Sequence, residues 1–95
     1  MATVSREEFD NALNRAAAEG CRVRATSRPG VYLVTSGRRP NVRYQTTAGA
    51  CGCKAGTLGR FCKHRALVGF VTCAVGYLSP AFEYDATGAA HRAAA

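Results

Sequence analysis

The sequence predicts an α+β fold: one small domain with an N-terminal helix, a three-stranded antiparallel sheet, a cysteine-rich loop and a C-terminal helix. Three observations predict it. Apolar residues recur at helical spacing near the N-terminus. Three short segments between Cys21 and Thr47 read as strands. A nearly all-apolar run follows a cluster of cysteines.

The first helix is expected over residues 5–19, "SREEFDNALNRAAAE". Ser5 and Glu8 have capping-box spacing, and acids in the first turn suit the positive helix end. Phe9, Leu13, Ala16 and Ala17 form its apolar stripe, and Gly20 is a suitable stop. In "CRVRAT" Cys21, Val23 and Ala25 face one way and Arg22, Arg24 and Thr26 the other, as in a half-buried strand. "SRPG" is a turn, "VYLVTS" a second strand and "NVRYQTT" a third, with Arg43 and Gln45 opposite Val42 and Tyr44. Short connections make the three an antiparallel meander. A second helix is expected from about His64 to Tyr77 or Leu78, ended by Pro80 and packed between the sheet and the first helix. Gly69 and Gly76 are candidates for close approach of a neighbour. Residues 21–84 form the core unit, and residues 85–95, "DATGAAHRAAA", are expected to be a disordered tail in which His91 is solvated.

Ninety-five residues bury little surface and call for a staple. "MATVSREEFD" lacks the apolar core of a secretory signal, and the longest uncharged apolar run, Ala66 to Leu78, is too short to span a bilayer. The expectation is therefore a cytoplasmic protein with no membrane partner. In a reducing compartment clustered cysteines more often hold metal than form disulfides. Cys21 and Cys73 fall on apolar faces and read as core.

The net charge of +7 is unevenly placed: ten Lys or Arg and no acid lie between Arg22 and Arg65. Within that segment stands "ACGCKAGTLGRFCKHRALV", a C-x-C-x8-C-x-H pattern formed by Cys51, Cys53, Cys62 and His64. Thiolate and imidazole are the usual ligands of a tetrahedral zinc ion. Cys51 and Cys53, two apart on an extended chain, point the same way, and Cys62 and His64 stand at a helix entrance without a Ser, Thr, Asp or Asn cap. The Cys62 thiolate is expected to take the place of that cap. Four protein ligands fill the shell, so one structural Zn(II) is expected and no catalytic metal. Three thiolates around a divalent cation leave about one negative charge, eased by Lys54, Arg60, Lys63 and Arg65.

This pattern resembles the SWIM-type zinc finger, in which strands precede a C-x-C pair and a helix runs through a C-x-H pair. Val31–Val68 follows that order. The resemblance implies zinc at Cys51, Cys53, Cys62 and His64 and a role in binding DNA or proteins. CDGSH-type iron–sulfur proteins share the C-x-C-x8-C spacing but place the histidine four residues after the last cysteine, whereas His64 follows Cys62 by two.

The expected function is nucleic-acid binding, DNA before RNA, through a basic face of Arg22, Arg24, Arg38, Arg39, Arg43, Lys54, Arg60, Lys63 and Arg65, with Tyr32 as a candidate aromatic platform. The alternative is a protein-interaction adaptor for an acidic partner, or a small homodimer joined through the apolar second helix. An enzyme is not expected: no nucleophile stands beside a base, and "GVYLVTSG" lacks the spacing and lysine of a phosphate loop.

Overall fold

A computed structural model describes residues 4–39 and 41–93. The first helix, α1, runs Arg6–Ala18. Ser5 caps it, its Oγ accepting the Glu8 N–H at 3.0 Å. Ala12 and Ala16 are its buried residues, with Leu13 packed beside them, while Ala17 faces solvent. The stripe is thus set by residue 12 rather than 17.

The three anticipated strands form as β1 (Arg22–Ala25), β2 (Tyr32–Thr35) and β3 (Arg43–Thr46). After them come a one-turn helix α2 (Lys54–Thr57), a long helix α3 (Lys63–Val75), and strands β4 (Phe82–Tyr84) and β5 (Ala90–Arg92). The sheet therefore has five strands rather than three, in the antiparallel order β3-β2-β1-β4-β5.

The tail expectation is corrected with the strand count. Residues 85–93 turn back on β4 instead of trailing: Phe82, Glu83 and Tyr84 pair with Arg92, His91 and Ala90. Asp85 secures the turn by accepting from the Thr87 and Ala89 N–H groups and by a side-chain hydrogen bond with His91 Nε2 at 2.7 Å. His91 thus has a partner six residues away. Residues 94–95 of that expected tail, and 1–3 of the expected domain, lie outside the described residues.

Directly paired residues share a face of the sheet. Val23, Val34, Tyr44 and Tyr84 occupy one row on the side covered by the helices. The core there comprises Ala16, Cys21, Val23, Val34, Leu67, Val68, Val71, Leu78 and Tyr84. Helix α3 packs against both α1 and the sheet, as its apolar surface requires. Gly69 allows the close approach to α1, since a methyl there would stand 3.6 Å from Phe9 Cε2. Gly76 has another task. Its φ of 80° ends α3 at Val75, before Pro80 is reached. Cys21 is core, but Cys73 is exposed and corrects the reading that buried it. Among the described residues no helix is long and apolar enough to cross a membrane.

Candidate metal centre and basic cleft

After β3 the chain doubles back on itself. Thr47 accepts the Gly49 and Ala50 N–H groups on its hydroxyl and donates its own N–H to the Ala50 carbonyl at 2.8 Å. This tight turn lays Cys51 opposite Thr46, and Gly52 N–H bonds to Gln45 O at 3.1 Å along the free edge of β3. Cys53 then caps α2, its Sγ accepting the Gly56 N–H at 3.3 Å. Cys62 caps α3 in the same way, accepting the Arg65 N–H at 3.5 Å. The thiol stands in for the missing polar cap, as anticipated. His64 follows in the first turn of α3.

These segments bring Cys51 Sγ, Cys53 Sγ, Cys62 Sγ and a His64 ring nitrogen within 4.8 Å of one another, all four residues buried. Cys51 Sγ lies 3.5 Å from His64 Nδ1. Strand β3 supplies the backing. Tyr44 stacks on the His64 ring at 4.8 Å, and the fully buried Thr46 sets its hydroxyl 3.3 Å from Cys51 Sγ. The three cysteines, with Tyr44 and Ala55, form a second small core apart from the main one.

The electrostatics suit a cation. Burial pushes the His64 imidazolium down to about 4, helped by the Lys63 charge, so the ring is neutral and its lone pair available at pH 7. Burial pushes the Cys62 thiol up to about 12, and the neighbouring Cys51 and Cys53 add to the rise. Burial opposes ionisation at Cys53 as well, but hydrogen bonds from Gly56, Cys51, Cys62 and Ala55 outweigh it and hold this thiol below its ordinary value. Ionising all three thiols together needs a compensating positive charge among them. The Cys3His group could therefore hold one metal ion.

The nine anticipated basic residues do not form one face. Arg22, Arg24 and Arg43 project from the outer side of the sheet, away from the helices. Arg22 is paired there with Glu83 at 3.6 Å. Arg38, Arg39, Lys54 and Lys63 line a cleft on the other side, a cavity of about 450 Å³ beside Cys53, Cys62 and His64. Arg65 sets its guanidinium on the Ala48 carbonyl at 3.1 Å and over the Phe61 ring, and Arg60 is exposed beyond α2. Tyr32 shares the helix-covered side with Thr46 and packs against the core, so it offers no outer platform.

Sequence reasoning missed Arg15 and Glu19 in the cleft, and Tyr44 and Thr46 behind the Cys3His group. Glu19 reaches Lys63 Nζ with both carboxylate oxygens, at 2.8 and 2.9 Å, and this contact holds its carboxyl below the ordinary range. No local signal links residues forty-four apart.

The fold and site define a small α+β module with a buried Cys3His group. No family model, curated protein or solved structure matches the chain, so the likeness to SWIM-type fingers rests on the C-x-C-x8-C-x-H residues themselves.

Proposed function

We propose that this chain is a zinc-stabilised, SWIM-like module that binds nucleic acid. The observation carrying the metal half is the convergence of four buried donors within 4.8 Å. Zn–S bonds of about 2.3 Å and Zn–N bonds of about 2.0–2.1 Å give a tetrahedral S···N edge of about 3.5 Å, and Cys51 Sγ and His64 Nδ1 are 3.5 Å apart. The donor set is soft, and all its members come from the chain. Bound zinc would offset most of the thiolate charge and lock β3, α2 and α3 together without an open coordination position. Its role is structural, and no enzymatic activity is proposed.

The nucleic-acid half is supported by cations without acidic partners. Among the described residues Arg24, Arg38, Arg39, Arg43, Lys54 and Arg60 make no salt bridge. Such charges attract phosphates and fix position before sequence. Metal analysis of the purified protein should find one zinc per chain. Titration of labelled DNA and RNA at low salt should show micromolar or tighter binding that weakens steeply as salt rises. Protein that carries no zinc, or that ignores both polymers, would count against the corresponding half.

The adaptor reading draws on Tyr77, 77% exposed, and Leu58, 61% exposed. Helix α3, which was to supply the docking face, is flanked by α1 and the sheet, and the β4–β5 turn brings Gly88 against Ala74 and Val75. A nuclease-resistant acidic partner in a pull-down, or a dimer in sedimentation, would favour that reading.

A further inference from the structure

We infer that the cleft between the metal loop and the β2–β3 hairpin is a phosphate-binding site for the backbone of single-stranded nucleic acid, an inference that rests on the nucleic-acid reading above. Five cations line the cavity: Arg15 from α1, Arg38 and Arg39 from the hairpin, and Lys54 and Lys63 from the metal loop and α3. Among the described residues Glu19 is the single acid lining it, and its charge is already taken up by Lys63. With about one negative charge on a zinc-loaded Cys3His group, a clear positive excess remains in a concave, partly apolar space, where field lines are focused rather than dispersed.

The outer sheet face compares poorly. Arg22 there is paired with Glu83, and Glu83 stands directly across from Arg24 in the register. Shape separates single strand from duplex. Duplex DNA is a convex rod with phosphate ridges flanking a major groove about 12 Å wide. A flexible strand can bend into a cavity of about 450 Å³ and rest against its apolar lining of Val42, Tyr44 and Phe61. The site also depends on the metal. Lys54 follows Cys53 and Lys63 lies between Cys62 and His64, so the ligands that grip the ion position two of the five cations.

The test is fluorescence anisotropy of zinc-loaded protein with a labelled oligothymidine of about 15 nucleotides and with a duplex of equal length, at low salt. The double variant Arg38→Glu/Arg39→Glu should lower single-strand affinity about tenfold or more. Arg24→Glu/Arg43→Glu, an equal change of charge on the outer face, should lower it less than about threefold. The neutral pair Arg38→Gln/Arg39→Gln should reduce the salt slope by about 1.4, two phosphate contacts on a single strand, and decides the matter if charge reversal unfolds the hairpin. Equal losses from the two reversals, an unchanged slope, or tighter binding of the duplex overturn the cleft assignment while leaving nucleic-acid binding intact. Absence of binding to either polymer by the unsubstituted chain overturns the parent reading too.

Discussion

Thr46 Oγ1 lies 3.3 Å from Cys51 Sγ, and both residues are buried. The same hydroxyl lies 3.2 Å from the Tyr44 carbonyl, so its one proton has two possible acceptors. Once Cys51 is a thiolate, the sulfur is the stronger acceptor, because charge-assisted hydrogen bonds outweigh neutral ones. Groups behind a metal ligand tune its basicity and orientation. Thr46→Val should therefore lower zinc affinity about 10- to 100-fold with the fold retained, and Thr46→Ser should restore most of the loss. Competition against a chromophoric chelator measures both. Valine binding zinc as tightly as threonine would show that the contact is incidental.

Removing the metal should expose the division of the core into two parts. Among the described residues the partly buried hydrophobics packed on the cysteine cluster are Tyr44 and Ala55, whereas the main cluster joins α1, α3 and the sheet. Structural zinc contributes on the order of 10 kcal/mol of apparent folding energy. Chelation should lower the melting temperature by about 10 °C or more. Amide protection should fall first from β3 through the entrance of α3. A spectrum and melting curve unmoved by the chelator would contradict this.

Gly56→Ala should damage the metal loop without replacing any of the four Cys3His residues. A methyl at residue 56 would overlap the Cys51 carbonyl group and stand 3.0 Å from the Cys51 Cβ. Backbone cannot give way as a flexible side chain can, so the expected cost is about 1–3 kcal/mol, the usual range for overpacking. Denaturant unfolding of the zinc-loaded protein gives the number. Gly49→Ala is the control, because nothing lies within 4 Å of a methyl there.

Glu19→Gln separates stability from binding. Both side chains of the Glu19–Lys63 pair are partly exposed, so its loss should cost no more than about 1 kcal/mol. It also frees a cleft cation that Glu19 now occupies. Single-strand affinity should rise, and the salt slope should steepen by about 0.7 for one added phosphate contact. A decrease in affinity would mean that Glu19 positions Lys63 rather than competing for it.

Acid should loosen the β4–β5 hairpin. The His91 contact, followed by the Thr87 hydroxyl and backbone hydrogen bonds, holds the Asp85 carboxyl far below its ordinary 3.8. A depressed folded value contributes stability above the unfolded value, and that contribution is lost as pH falls through the folded one. Stability should thus be level near neutrality and decline below about pH 4, with the partly exposed pair accounting for no more than about 1 kcal/mol. Asp85→Asn should flatten part of that decline in urea midpoints taken across the acid range. The unfolding midpoint of the variant falling as steeply as that of the parent would place the acid sensitivity elsewhere.

The Cys3His group, α1 and three of the strands were legible in the sequence, because each is written in short-range pattern. Two pairs, each two positions apart and separated by eight residues, mark the Cys3His group, Ser5 and Glu8 mark a helix start, and alternation marks β1. Even the cap on α3 could be anticipated from Cys62 alone. The packing decided the rest. Strands β4 and β5 have three residues each, too few to show a period, and form because β1 offers an open edge. Glu19 and Glu83 lie outside the acid-free segment but return to pair with Lys63 and Arg22 inside it. Whether cations form one face depends on which side of a sheet each strand shows, and here the sheet itself divides them. A chain encodes its local geometry residue by residue, but long-range neighbours are set only when distant segments bury their apolar faces against each other.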